Sequence, residues 1–499
     1  MTKLLRIITA VVLLLGSLAS IWFLVNNLQP LKPALYSFTV LGIIGIVLAF
    51  RLFASQSLAR AKTTCQNFSQ HRHFTAIALA AIIVLGVCAR LFFYARFTYA
   101  PISDPVTFYS AAHKLAIGQG MHGDSYVAFF PYLAAYDNIL ALAMKLIPSP
   151  WLATILLNTA LDLAAAAIAY FLIKKLARSG SKLPILAFGV WLLNPFNILF
   201  SVISLPIIAV NFFIITSLFL IYLLSENVTA LKSAPTLGLA ILVGLTMGYG
   251  NCFRPVFSIG LVALIMLFAY LLLTRGPTKK LVLLLGGSFL LIAVLFSGIQ
   301  KLNLLSVAHE TNLKPAAHYS GWSIYVGSNW YSDGTWTMAD QFNMQAICQK
   351  STNESCQNKL QKAGIARYES YGKGGTLSLF IRKLSVFSSN QNSMYNADQS
   401  IPNYTKSTTA KVLNIYFVLF MVLLFALSAG FLYRSAESVL LNQKVAPVLL
   451  FAVILLVGFF LSDALVEAAP RYAQILYPIF TICAVLSLDQ VKLRSRRAR

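Results

Sequence analysis

Charge is scarce in this chain, and acid is scarcest. Only 11% of the 499 residues are charged and 58% are hydrophobic, whereas soluble domains carry roughly a quarter charged residues. An ordinary soluble enzyme is excluded, and an all-α polytopic membrane protein is expected. The 15 acids face 39 lysines and arginines, a net charge of +24. In a soluble chain that surplus would suggest nucleic acid. Here the basic residues collect in short loops between apolar runs, so no nucleic-acid partner is expected. The six cysteines show no Cys-x-x-Cys or Cys/His spacing, which argues against a zinc site. There is no Walker-type glycine loop for a nucleotide, and no internal repeat of the kind that builds many transporters. No small-residue cleavage site follows the first apolar run, so 4–26 is expected to be a retained span.

What the chain has in abundance is runs near the ~20 residues that cross a bilayer as a helix. They fall at 4–26, 34–53, 75–95, 150–173, 183–203, 205–224, 235–251, 255–274, 280–300, 411–433, 446–466 and 469–489. A further run, 128–147, is long enough but carries Pro131, Asp137 and Lys145. Charge placement decides its role. With the N-terminus inside and 128–147 not spanning, Lys and Arg gather in the inner loops and in the tail KLRSRRAR. If 128–147 spanned, the KKLAR loop and every later basic loop would turn outward, against the positive-inside bias. Twelve spans are therefore expected, thirteen at most, with 128–147 lying along or dipping into the outer leaflet.

The domain order that follows is two additional N-terminal spans in 1–74, then a membrane core over 75–300 whose first outer loop is 96–149. An extracytoplasmic domain at 301–410 comes next, followed by C-terminal spans and a basic cytoplasmic tail in 411–499. In 301–410 Asn, Ser, Gly, Trp and Tyr replace Leu and Ile. Its segment SGWSIYVGSNWYSDGTWT (320–337) reads as short strands and turns, so this small domain is expected to be of mixed structure. Cys348 and Cys356 face an oxidising side, where a disulfide and two free thiols both remain open.

A few polar groups stand against the charge bias at the outer edge. Asp104 lies in PISDPVTFYSAAHKLAIGQGMHGD (101–124), between two apolar segments. Arg90 and Arg96 flank the end of the preceding span, Arg254 sits in GNCFRPVF, and Arg471 in EAAPRYAQILYP. Outer arginines suit a shared phosphate, which accepts their forked hydrogen bonds. Interfacial snorkelling is the plain alternative, favoured for Arg90 and Arg96. Asp104, before Pro105, is either a helix cap or a catalytic carboxylate. His113, on the short helix expected to follow, either assists binding or belongs to a polar face. His122 and Asp124 read as loop residues, and Asp463 and Glu467 as acids at the wet end of a span. Asp162 lies inside a span, where an acid is costly; it is either functional or hydrogen-bonded to a neighbouring helix.

The order of these features resembles the GT-C superfamily of membrane glycosyltransferases, in the branch similar to protein mannosyltransferases and aminoarabinose transferases. The carrying residues are Asp104-Pro-Val-Thr-Phe-Tyr109-Ser-Ala-Ala112, close to a D-x-x-x-Y-x-x-x-A pattern, and Phe130-Pro131-Tyr132-Leu133. A span ending YFLIKKLAR, the pairs Asn194-Pro195 and Arg254-Pro255, and the terminal Pro470-Arg471-Tyr472 complete it, over roughly residues 80 to 490. The resemblance implies a GT-C-like fold and a sugar moved from a polyprenyl-phosphate donor to a glycan, lipid or protein acceptor on the outer face of the cell membrane, with inversion. It makes Asp104 the general base; Arg254, Arg471, Tyr472, Tyr109, His113 and Arg96 are the residues expected to bind substrate. Many relatives carry a second acid in the next outer loop, where some bind a divalent metal. Here that loop reads Phe200-Ser-Val-Ile-Ser204-Leu-Pro206, with no acid, so a metal-independent enzyme without a cofactor is expected. A lipid-linked glycan flippase, a non-catalytic partner of the same fold, and a ligase or polymerase that joins lipid-linked glycans remain the rival readings.

Overall fold

The computed structural model describes residues 74–177, 180–388, 397–413, scattered positions between 416 and 431, and 446–497. The expected spans 4–26 and 34–53 lie outside the described residues, as does much of 411–433. The membrane core opens with α1 (Phe74–Arg96), followed by α2 (Ser103–Ala116), α3 (Ser125–Phe129) and α4 (Ala134–Leu146). Next come α5 (Pro150–Leu176), α6 (Leu183–Leu192), α7 (Pro195–Ser201), α8 (Ile207–Thr229), α9 (Ser233–Asn251), α10 (Phe257–Arg275) and α11 (Lys279–Thr311). The 301–410 insert holds α12 (Ser320–Gly327), α13 (Met338–Ile347), α14 (Asn353–Ser370) and α15 (Gly372–Ser388). The chain closes with α16 (Ala446–Leu465), α17 (Pro470–Ala473) and α18 (Tyr477–Arg497).

Among the described residues eight helices are long and apolar enough to cross a membrane, or nine if the bent pair α6 and α7 is one span. This is a multi-pass membrane protein, and each of these helices falls on an expected run. The run 183–203 is broken because Pro195 lacks an N–H and clashes with the preceding turn. Asn194 restarts the helix, its Oδ1 accepting from Phe196 N at 2.9 Å, and the two halves meet at 44°. Helix α9 packs along α11 through Gly244 and Gly248. A Cβ at either position would lie 3.1 Å from a Cα of α11, Ile292 or Phe296, so only glycine admits this approach.

Three expectations are corrected. The run 128–147 is not one helix: it divides into α3, a 3-10 turn at Pro131–Leu133 and α4. At 13 residues, α4 is ~20 Å long, too short to span. Helix α11 does not end at 300 but continues to Thr311; its 33 residues extend ~50 Å and carry the chain into the insert. The 320–337 segment holds no strand, and none occurs among the described residues, so the small domain is helical and not mixed. Trp322, Tyr325 and Val326 lie on one helical face, buried in α12, and Trp322 N donates to Gln357 Oε1 of α14 at 2.9 Å. Burial at spacings of three and four overrides the strand preference of these residues. Cys348, at the end of α13, is bonded to Cys356 in the first turn of α14, closing one of the two options left by the sequence.

Candidate active site

The loop before α2 is fastened from outside the core. Ala100 N donates to Ser400 O at 3.0 Å and Ile102 N to Gln399 O at 2.7 Å. Ser103 then takes φ +57°, and α2 starts from an N-cap, Ile102, whose side chain caps nothing. Asp104 therefore does not serve as a cap. Its Oδ2 lies 3.0 Å from Arg471 Nη2, and Tyr126 donates its hydroxyl to Oδ1 at 3.4 Å. The capping role belongs to Asp124, which accepts from Tyr126 N and Val127 N at the start of α3. His122 Nδ1 is held 3.0 Å from Asn312 Nδ2.

Arg254 emerges from the tight turn between α9 and α10, and Arg471 and Tyr472 from α17, which Pro470 opens at a position where no N–H is needed. Both guanidiniums approach the Tyr472 ring, with Arg254 Cζ 4.5 Å and Arg471 Cζ 5.5 Å from its centroid. Asp104, Arg254, Arg471 and Tyr472 line one cavity of about 1550 Å³. The same cavity receives Tyr126 and Tyr132 from the first loop, Trp322 and Trp336 from the insert, and Glu467 from the loop ahead of α17. Burial pushes the hydroxyls of Tyr126 and Tyr132 up, so they act here as neutral hydrogen-bonding groups.

Tyr109, His113 and Arg96 do not line this cavity. Tyr109 stands edge-on to Tyr99, 5.3 Å between centroids. His113 is exposed near the end of α2, and Arg96 reaches out over Phe97 at 5.8 Å. Arg90 neither snorkels nor faces the cavity: it is wholly buried and paired with Asp162.

Glu467 is the residue that sequence reasoning passed over. It sits four positions before Arg471, in the loop that leads into α17, and its position beside an apolar run made it read as merely wet. Its loop is held closely by the insert. Ala468 N donates to Gly334 O at 2.8 Å, and Tyr368 bridges Gly327 O and Leu465 O at 2.8 and 2.9 Å. Lys383 Nζ reaches Ala464 O at 2.9 Å, satisfying carbonyls at the end of α16. A Cβ at Gly327 would lie 2.3 Å from the Val466 carbonyl carbon. Gly327→Ala is therefore expected to push this loop aside, costing about 1–3 kcal/mol by overpacking; the check is a lowered melting temperature in detergent.

The 202–206 loop supplies hydroxyl and carbonyl groups but no acid, and Ser204 Oγ is engaged with Tyr99 OH at 2.7 Å. Asp104 is already paired with Arg471. Among the described residues no group of three or more His, Cys, Asp or Glu is placed so that it could hold a metal ion, although Asp104, Asp463 and Glu467 line the one cavity.

No family model and no curated protein matches this chain. Solved structures do. The apo oligosaccharyltransferase of Archaeoglobus fulgidus aligns with a TM-score of 0.50 over 86% of this chain and 52% of its own, at 14% identity. The chain has a GT-C-like fold. The oligosaccharyltransferase AglB of the same organism, in complex with an inhibitory peptide and a dolichol-phosphate, aligns at a TM-score of 0.48 and 13% identity over the same shares. The chain spans about half the length of these neighbours. The likeness is to oligosaccharyltransferases and does not single out the mannosyltransferase or aminoarabinose branch.

Proposed function

We propose that this protein is a membrane glycosyltransferase that moves a sugar from a polyprenyl-phosphate donor to an acceptor on the outer face, inverting the anomeric carbon. The acceptor is a glycan, lipid or protein of the cell envelope. The observation that carries the reading is the meeting of Asp104, Arg254, Arg471 and Tyr472 in one cavity, from three stretches of chain far apart in sequence. Asp104 takes the proton of the acceptor hydroxyl as the hydroxyl oxygen attacks the sugar. Arg254 and Arg471 hold the donor phosphate and stabilise the charge that develops when it leaves. Tyr472, whose ring both guanidiniums approach, helps to position them. The lipid tail remains in the bilayer beside the apolar helices. The insert, with Trp322 and Trp336 in the cavity wall, forms the acceptor side, where aromatic faces stack on sugar rings.

The test is transfer of radiolabelled sugar in membranes containing the protein, supplied with a panel of polyprenyl-phosphate sugars, with Asp104→Asn as the blank. Transfer by the wild type from one donor supports the reading and identifies the sugar; no transfer from any donor by well-expressed protein overturns it in favour of a flippase or inactive partner. Transfer is further expected to survive EDTA at full rate, because the donor phosphate is met by two arginines and not by a cation. Loss of activity on chelation, restored by Mg²⁺ or Mn²⁺, would reverse that expectation.

A further inference from the structure

The part of the cavity wall that the insert supplies has a chemistry of its own. Along α13 the lining residues are Gln341, Met344, Gln345 and Cys348, whose spacings of three and four make one stripe of the helix. The stripe is held at both ends. Asp340, buried in the first turn, accepts from Thr337 Oγ1 at 2.7 Å and from Asn329 Nδ2 at 3.0 and 3.1 Å. At the other end Cys348 is bonded to Cys356 of α14. Trp336 joins the wall from the turn ahead of α13, and Ser323 from α12. Trp336 is 42% exposed, so its indole is open to stacking. The amides of Gln341 and Gln345 and the Ser323 hydroxyl have no bonding partner among the described residues.

Charge is divided unevenly between the two parts of the wall. The lining cations are Arg254 and Arg471, and both come from the core side, with Asp104, Asp463 and Glu467. The insert contributes one charged lining residue, Asp333. Arg382 pairs with Asp333 at 2.8 Å and stacks on Trp330 at 3.9 Å. The other insert cations near the wall are engaged and do not line it. Lys383 Nζ donates to Ala464 O and Tyr368 OH, and Arg367 donates to Tyr325 O and stands beside Asp340. An anion lying on the insert would therefore meet amides, hydroxyls and rings, and no lining cation.

We propose that the acceptor is an uncharged saccharide, and that Gln341, Gln345 and Trp336 set this specificity. The inference rests on the glycosyl-transfer reading above and narrows its acceptor to one class. A sugar ring offers an apolar face, which suits the Trp336 indole. Its hydroxyls both donate and accept, and each glutamine amide presents two donors and an acceptor oxygen. Two such amides one helical turn apart match a row of hydroxyls without adding charge to the wall. A carboxylated or phosphorylated polymer would give up water there with no cation to replace it, which is costly. Ser323 supplies a further hydroxyl from the neighbouring helix.

The experiment supplies the full-length protein in membranes with its donor and a panel of acceptors. The panel holds uncharged hexose oligomers, the same oligomers carrying a carboxylate or a phosphate, and a peptide with Ser, Thr and Asn. The wild type is expected to use an uncharged oligomer with a kcat/KM about 10-fold or more above any charged one. The double variant Gln341→Ala with Gln345→Ala is expected to raise acceptor KM about 10-fold, and Trp336→Ala to raise it similarly. Donor KM and kcat should hold in both, the mark of binding lost equally in ground and transition states. Neither glutamine is buried, nor is Trp336, so the variants should fold; the wild-type panel stands on its own even where one does not. Charged oligomers used as well as uncharged ones, or transfer to the peptide instead, overturn this proposal and leave the transfer reading in place. An unchanged acceptor KM in the variants, or a fall in kcat alone, overturns it too. No transfer by the wild type to any acceptor from any donor overturns both readings together.

Discussion

Asp104→Asn is expected to give a folded, donor-binding protein that transfers sugar about 10²–10⁴-fold more slowly than the wild type. Asparagine has the same shape as aspartate and still accepts the Tyr126 hydroxyl, so the first turn of α2 keeps its contacts. What is lost in stability is one ion pair between side chains 15% and 32% exposed, worth about 1 kcal/mol or less after solvent screening. What is lost in chemistry, under the proposed reaction, is the group that receives the acceptor proton. Arg471 is released from its pair with Asp104, so affinity for an anionic donor should hold or rise. The signature is thus a fall in kcat without a rise in donor KM, which marks an interaction made in the transition state. A normal kcat in Asp104→Asn would remove the base from this position and require the cavity to act on its substrate in some other way.

The membrane-spanning framework was legible because its cause is local. A run of apolar residues must place its backbone groups in a helix wherever it meets lipid, and the described spans fall where those runs were read. Sidedness of charge also indicated that 128–147 does not cross, and the break at Pro131 gives a physical reason. The insert was illegible for the opposite cause. Its segment 320–337 has residues that suit a strand, but Trp322 and Tyr325 find their burial against α14, thirty residues further on, and that contact selects a helix. The site was legible in part. Asp104, Arg254 and Arg471 stood out because charged residues are unusual at span ends expected to face outward. Glu467 obeyed the expectation for a wet terminus and so gave no signal, and Tyr126 is one tyrosine among 22. Tyr109 and His113 share α2 with Asp104 but lie beyond its first turns, of which Ser103, Asp104, Val106, Thr107 and Phe108 line the cavity; Arg96 ends α1.

Asp162→Ala is expected to be the most damaging single change to stability, by about 3–5 kcal/mol, because it leaves a charge buried without its partner. Arg90 and Asp162 are both fully buried and joined directly. Asp162 Oδ1 also accepts from Trp191 Nε1 at 2.8 Å and Asn197 Nδ2 at 2.9 Å. Arg90 donates in turn to Gly86 O at 2.7 Å, Ser201 Oγ at 3.0 Å and Leu192 O at 3.1 Å. One ion pair thereby ties α1 and α5 to both halves of the broken span, α6 and α7, at the bend where backbone carbonyls lose their helical partners. Removing the carboxylate leaves the guanidinium without its counter-charge and the indole N–H without its acceptor, while the Asn197 amide keeps only Trp191 O at 3.2 Å. The measurement is thermal unfolding and steady-state level in membranes, set beside the rate per folded molecule. Stability should fall sharply while that rate holds, since Asp162 lies away from the cavity. Replacing both partners, Arg90→Met with Asp162→Leu, should recover much of the loss, because an apolar pair leaves no charge unpaired. A rate that falls with the stability untouched would instead assign Asp162 to the chemistry.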